Sequence, residues 1–145
     1  MSLDDLDRRI LALLERDGRM PVKTLAEQVG LSAPGASERL RRLEDRGVIR
    51  GFTVDVEPRA MGFAMQAIVR IKPLPGKLHA VQKLIEGIPE FAECDKVTGD
   101  DCFIGRLYLR SIEHLDHILE QITDMAETSS AIVKSQPVRR RLPPL

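Results

Sequence analysis

The 145 residues suffice for one ordinary domain or two small ones, and 43% apolar with 30% charged residues is the balance of a folded chain with largely aliphatic cores. Equal numbers of basic and acidic residues, 22 of each, argue against a polyanion-coating protein but not against a DNA reader whose basic residues share one face. No apolar run approaches the ~20 residues of a membrane span, the opening MSLDDLDRR has no apolar signal core, and two cysteines make no disulfide framework, so a cytoplasmic protein is expected.

From Ser2 to Arg16, Leu3, Leu6, Ile10, Leu13 and Leu14 recur at helical spacing, with Ser2 as the N-cap candidate and Asp4 and Asp5 in the first turn. Pro21 opens a second helix with Val22, Leu25, Ala26 and Val29 inward, and Gly30 stops it. Only Leu31 then precedes Ser32, the N-cap candidate of a third helix striped by Ala36, Leu40 and Leu43 and ended by Gly47. Two short helices joined by a three-residue turn containing Gly predict a helix-turn-helix, winged-helix-like, over residues 1–50. The run Val48–Val56 is β-branched and alternates from Phe52, so it reads as a strand, with 51–62 as strand and hinge linker.

Residues 63–145 alternate strands and helices. Met65, Ala67, Val69 and Ile71 occupy one face of a strand; Leu78, Val81, Leu84, Ile85 and Ile88 mark a helix. Phe91–Thr98 and Cys102–Arg110 read as strands joined by Gly99-Asp100-Asp101, a helix runs from Ile112 to Ile122, and Thr128–Ser135 makes the last strand. The order βαββαβ predicts an α+β protein with a ferredoxin-like second domain.

The third helix carries the chemistry. Its outward positions include Pro34, Gly35, Ser37, Glu38, Arg41 and Arg42. The N-terminal end of such a helix enters the major groove, where Ser37 and Glu38 meet base edges and first-turn amides after Ser32 meet a phosphate. Arg39, Arg41, Arg42 and Arg46 are expected to neutralise phosphates. A plainer reading is a solvated charged helix with Arg39 or Arg42 paired to Glu44 or Asp45. With few base readers, DNA shape carries much of the specificity, and two copies are needed for a firm grip.

Leu6-Asp7-Arg8-Arg9-Ile10-Leu11, Leu25-Ala26, Val29-Gly30-Leu31-Ser32, Arg39-Leu40-Arg41-Arg42-Leu43-Glu44 and Gly47-Val48-Ile49-Arg50-Gly51-Phe52 stand in an order that resembles the Lrp/AsnC regulators. Val97-Thr98-Gly99-Asp100, Thr128-Ser129-Ser130-Ala131-Ile132-Val133 and Pro143-Pro144-Leu145 extend the resemblance over essentially the whole chain. It implies a transcription regulator whose second domain pairs through its sheet into homodimers, often octamers, and binds a small effector, usually an amino acid. The implied effector residues are Gly99, Asp100, Asp101 and Cys102, with Thr128 and Ser130 nearby. Turn amides can hold a carboxylate and an aspartate an ammonium group. Many members have an aspartate where Cys102 stands, so Asp100 or Asp101 must substitute, or the ligand is not an ordinary amino acid, or there is none; the turn is equally a plain hairpin.

Sirohaem decarboxylases are similar in fold to this family, so an enzyme remains an alternative, as does an assembly module that no longer reads DNA. The histidines available for catalysis or haem ligation are His79, His114 and His117, on predicted helices; His114 and His117 share a face, with no third metal ligand evident. No metal or cofactor is expected.

Overall fold

A computed structural model describes residues 2–145 and divides them into two compact units, one formed by residues up to Asp55 together with Val138–Leu145 and the other by Val56–Pro137. Val138–Leu145, the end of the expected second domain 63–145, groups by its contacts with the first unit.

Three helices build the first unit: α1 (Asp5–Arg16), α2 (Val22–Val29) and α3 (Ala33–Asp45). They bury Ile10, Leu25 and Leu43 almost completely, with Val29 and Ala36 beside them. Helices of this length are marginal alone, so packing of these aliphatic stripes holds them. The first helix starts later than expected, because Asp4 rather than Ser2 is its N-cap. Asp4 Oδ1 accepts from the Asp7 N–H at 2.8 Å while Asp7 Oδ2 accepts from the Asp4 N–H at 3.4 Å, a reciprocal capping box. A further tie runs from Arg9 Nη2 to the Gln28 carbonyl oxygen at 2.9 Å.

The strand expected over Val48–Val56 does not form. Val48 and Ile49 fold back to donate to the Leu43 carbonyl oxygen at 2.9 and 3.0 Å, half-buried against the first core. Beyond them the chain is unpaired up to the short helical turn Pro58–Met61, with Phe52, Val54 and Val56 exposed. Alternation predicts a strand only where a neighbouring ladder and a core face exist.

The second unit contains β1 (Met65–Pro73), α4 (Leu78–Glu86), β2 (Phe91–Lys96), β3 (Phe103–Leu109), α5 (Ile112–Glu120) and β4 (Ala126–Ile132). Its antiparallel sheet has the order β2-β3-β1-β4, the ferredoxin-like arrangement. Val69 stands between Gly105 and Ser130, and Ile71 between Phe103 and Thr128. Ala67, Val69, Ile71, Phe103, Leu107 and Leu109 share one buried cluster with Val81 and Ile85 of α4 and Leu115 and Ile118 of α5. On the opposite face Ile68, Ile104, Arg106 and Tyr108 are half-buried and Arg70 is exposed. The last strand lies two residues earlier than the sequence suggests, since Ala126 already pairs with Pro73.

Gly105, in the middle of β3, is dictated by packing. A Cβ there would lie 2.5 Å from the Phe91 ring, which covers the strand where a side chain would otherwise stand. Gly105→Val is expected to cost about 1–3 kcal/mol by overpacking, read from denaturant melts at unchanged slope. Combination with Phe91→Leu should cost less than the sum of the two single changes.

Candidate nucleic-acid interface and ligand turn

Gly30, with φ of 76°, ends α2 in the left-handed conformation, and Leu31 donates to the Ala26 carbonyl oxygen at 2.9 Å while its side chain packs on the core. Ser32 then caps α3, its hydroxyl accepting from the Gly35 N–H at 3.2 Å. Since Pro34 has no N–H and Gly35 gives its own to the cap, the first turn has few amides left for a phosphate, fewer than the sequence reading supposes. Ser32, Pro34, Ser37, Glu38, Arg41, Arg42 and Arg46 are exposed, Gly35 is half-buried, and Ala36 and Leu43 face the core.

Arg39 departs from expectation. Its Nη1 contacts Asp4 Oδ2 at 2.5 Å and Asp7 Oδ1 at 2.8 Å, with Asp7 only 8% exposed. Through Nη1 the guanidinium joins α3 to the capping box of α1, so a phosphate has to compete with two carboxylates for it. Arg39 stands three residues after Ala36 and four before Leu43, so helix spacing sets it at the edge of the inward stripe, where the approach of α1 turns it into a clamp. The capping hydrogen bond from Asp7, followed by Arg39, holds the Asp4 carboxyl below its ordinary range.

Arg41 is held differently. Its Nη2 and Nε reach Glu38 at 2.9 and 3.2 Å, and Nη1 reaches Asp45 at 2.7 Å, all at the surface. The plainer expectation of Arg39 or Arg42 pairing with Glu44 or Asp45 therefore has the wrong arginine. The hydrogen bond from Arg41, then its charge, keeps Glu38 ionised below its usual range. Arg42 has no carboxylate partner among the described residues, and Arg46 only touches the Ser2 carbonyl oxygen at 3.4 Å. With Arg39 these two line a shallow cleft of about 140 Å³ that has Asp4 and Asp7 on its other side.

In the second unit Gly99, Asp100, Asp101 and Cys102 form the β2–β3 turn, closed by the Val97 N–H donating to the Cys102 carbonyl oxygen at 2.7 Å. Gly99 has φ of 105° and Cys102, unusually for a side-chain-bearing residue, 52°. Asp101 Oδ2 pairs with Arg70 Nη1 at 3.1 Å, which leaves Asp100 as the exposed carboxylate. Thr128 and Ser130 do not join this turn within one chain. They lie on β4, two strand spacings or about 10 Å from β3, and on the helix-facing side of the sheet, opposite Arg70.

His114 accepts from the Arg110 N–H at Nδ1, so its Nε2 carries the proton and faces Glu90 Oε1 at 3.1 Å. His117 stands exposed beside Glu120, and among the described residues no three metal-ligating side chains cluster. Burial and then Asp95 push the Cys94 thiol up, away from a reactive thiolate. No helix among the described residues is long and apolar enough to cross a membrane.

Residues 3–50 match a family model described as winged helix-turn-helix DNA-binding, and 66–143 match one described as Lrp/AsnC ligand binding domain. The HTH-type transcriptional regulator FL11 of Pyrococcus furiosus is 32% identical over 120 residues, covering 83% of this chain and 80% of its own. The HTH-type transcriptional regulator LrpA of Mycobacterium tuberculosis is 34% identical over 135 residues, covering 91% and 90%. The feast or famine regulatory protein Rv3291c from M. tuberculosis, solved in complex with L-methionine, superposes with a TM-score of 0.87 at 32% identity over 97% of this chain and 98% of that one.

Arg39→Ala strands a buried Asp7 charge and is expected to cost about 1–3 kcal/mol. Asp4 is depressed in the fold, so its contribution exists above the ordinary carboxylate range and is lost as pH falls through its lowered value. Chemical melts from neutral pH downward should show the gap between wild type and variant narrowing below that range.

Proposed function

Because the chain belongs to the Lrp/AsnC family of DNA-binding transcription regulators, we propose that α3 reads duplex DNA and that a small metabolite bound by the second domain alters assembly and grip. The chain is a regulator with a ligand-binding domain rather than an enzyme of the sirohaem decarboxylase type. One observation carries the DNA reading: α3 buries Ala36 and Leu43 while Pro34, Ser37, Glu38, Arg41 and Arg42 project outward from the turn made by Gly30 and Ser32. Ser37 and Glu38 meet base edges; Arg42 and Arg46 take phosphates directly. Arg41 takes one by releasing Glu38 and Asp45, a small loss, since exposed ion pairs contribute only about 0–1 kcal/mol. Arg39 is left out of the interface.

The effector in this reading is an amino acid. Support comes from the methionine bound to the similar M. tuberculosis protein and from the exposed Asp100, a carboxylate for an α-ammonium group where Cys102 offers none. Gly99, Asp101 and Cys102 frame the carboxylate end, and Thr128 and Ser130 take part from another chain. Assembly into a homodimer and then an octamer is favoured by the exposed, unpaired alternating segment Phe52–Val56, and by the half-buried Ile68 and Ile104 on a sheet face that also carries Arg70 and Arg106. An effector that bridges dimers biases one assembly over another and so respaces the DNA-binding units.

Fluorescence anisotropy on a duplex from the protein's own upstream region tests the first claim. Binding should weaken steeply with salt, and Arg42→Ala with Arg46→Ala should lower the log–log slope by about 2 per subunit. A wild-type protein that ignores duplexes at low ionic strength would instead be an assembly module. Native mass spectra with L-methionine and other amino acids test the second; unchanged mass and unchanged DNA affinity across the panel would discard it.

A further inference from the structure

We propose that Val138–Leu145 is a basic arm of the DNA-binding unit, delivering Arg139, Arg140 and Arg141 to duplex phosphates. The inference rests on the DNA-binding reading and adds a contact outside the helix-turn-helix.

The segment follows β4 in sequence, yet by its contacts it groups with residues 1–55 rather than with Val56–Pro137. It is tied down there: the Leu142 N–H donates to Glu15 Oε1 of α1 at 2.7 Å, across 127 positions of sequence. Pro143 and Pro144 follow directly, and consecutive prolines keep a chain extended and stiff.

Charge gives the arm its meaning. Residues 1–55 contain ten lysines and arginines and ten aspartates and glutamates, so the helix-turn-helix has no net charge of its own. Two arginines of α3 are further committed to two carboxylates each, Arg39 to Asp4 and Asp7, Arg41 to Glu38 and Asp45. The arm brings three arginines and no acid, and supplies the whole positive excess of the unit. All three are exposed, and none pairs with a carboxylate among the described residues. Anchoring uses a backbone N–H, so the guanidinium groups beside it stay free. Phosphate neutralisation dominates non-specific affinity, and a neutral domain gains most from an added cluster of this kind. Three consecutive exposed arginines suit phosphates rather than base edges.

The test compares the full chain with Arg139→Gln, Arg140→Gln and Arg141→Gln combined, on an upstream duplex and a scrambled one, between about 50 and 200 mM salt. Affinity should fall by the same factor on both duplexes, with the log–log slope reduced by about 2–3 per subunit, while the thermal midpoint and native mass stay as in wild type. Equal affinity and slope in the two proteins, with wild type still binding, would overturn the arm and leave the regulator reading intact. A loss confined to the upstream duplex, or one accompanied by a changed native mass, would also overturn it, by assigning the arginines to base readout or to assembly. Wild-type protein that binds neither duplex would overturn both readings.

Discussion

The Arg39 guanidinium holds two carboxylates of α1, one of them almost buried, and this clamp sets where the outer face of α3 can point. Twelve- and thirteen-residue helices have little intrinsic stability, and an apolar stripe resists separation more than it resists rotation or sliding. A charge pair with two fixed acceptors is directional. Because Asp4 and Asp7 also bond each other's backbone N–H groups, the cap of α1 and the orientation of α3 form one network. Desolvation offsets much of the Coulomb gain in such a network, whereas removing one partner from it is costly.

That distinction separates arginines that sequence alone treats alike. Releasing Arg41 from Glu38 and Asp45 frees groups that are all more than half exposed and readily rehydrated. Releasing Arg39 abandons Asp7 at 8% exposure. A phosphate can therefore recruit Arg41, together with the unpaired Arg42, but has no comparable hold on Arg39.

Most of the architecture was legible because it rests on periodicity. The stripes Ile10, Leu25 and Leu43, the alternation of Ala67, Val69 and Ile71, and the stop at Gly30 each act within a few residues. What escaped depends on distant partners. Asp4 displaced Ser2 as cap through a pairing with Asp7, the Phe52–Val56 alternation found no ladder, and the three arginines after Val138 gave no hint that they would return to α1. Among the candidate site residues, the outward positions of α3 follow from helical spacing, whereas the commitment of Arg39 and the separation of Thr128 from the β2–β3 turn required the tertiary structure.

The β2–β3 turn suits a ligand that arrives with its own charges better than one that is wrapped by a single chain. Asp101 is already neutralised by Arg70, and Asp100 is solvated, so neither pays a large desolvation cost before binding. A zwitterion set there meets one carboxylate and a strained turn whose amides are partly exposed, a shallow set of contacts. Shallow sites gain affinity when a second surface closes over them, because exclusion of water strengthens every remaining polar contact. In the proposed reading, where a neighbouring molecule completes the site, coupling between ligand and assembly needs no separate device, since each occupant then raises the affinity for the other by the same factor.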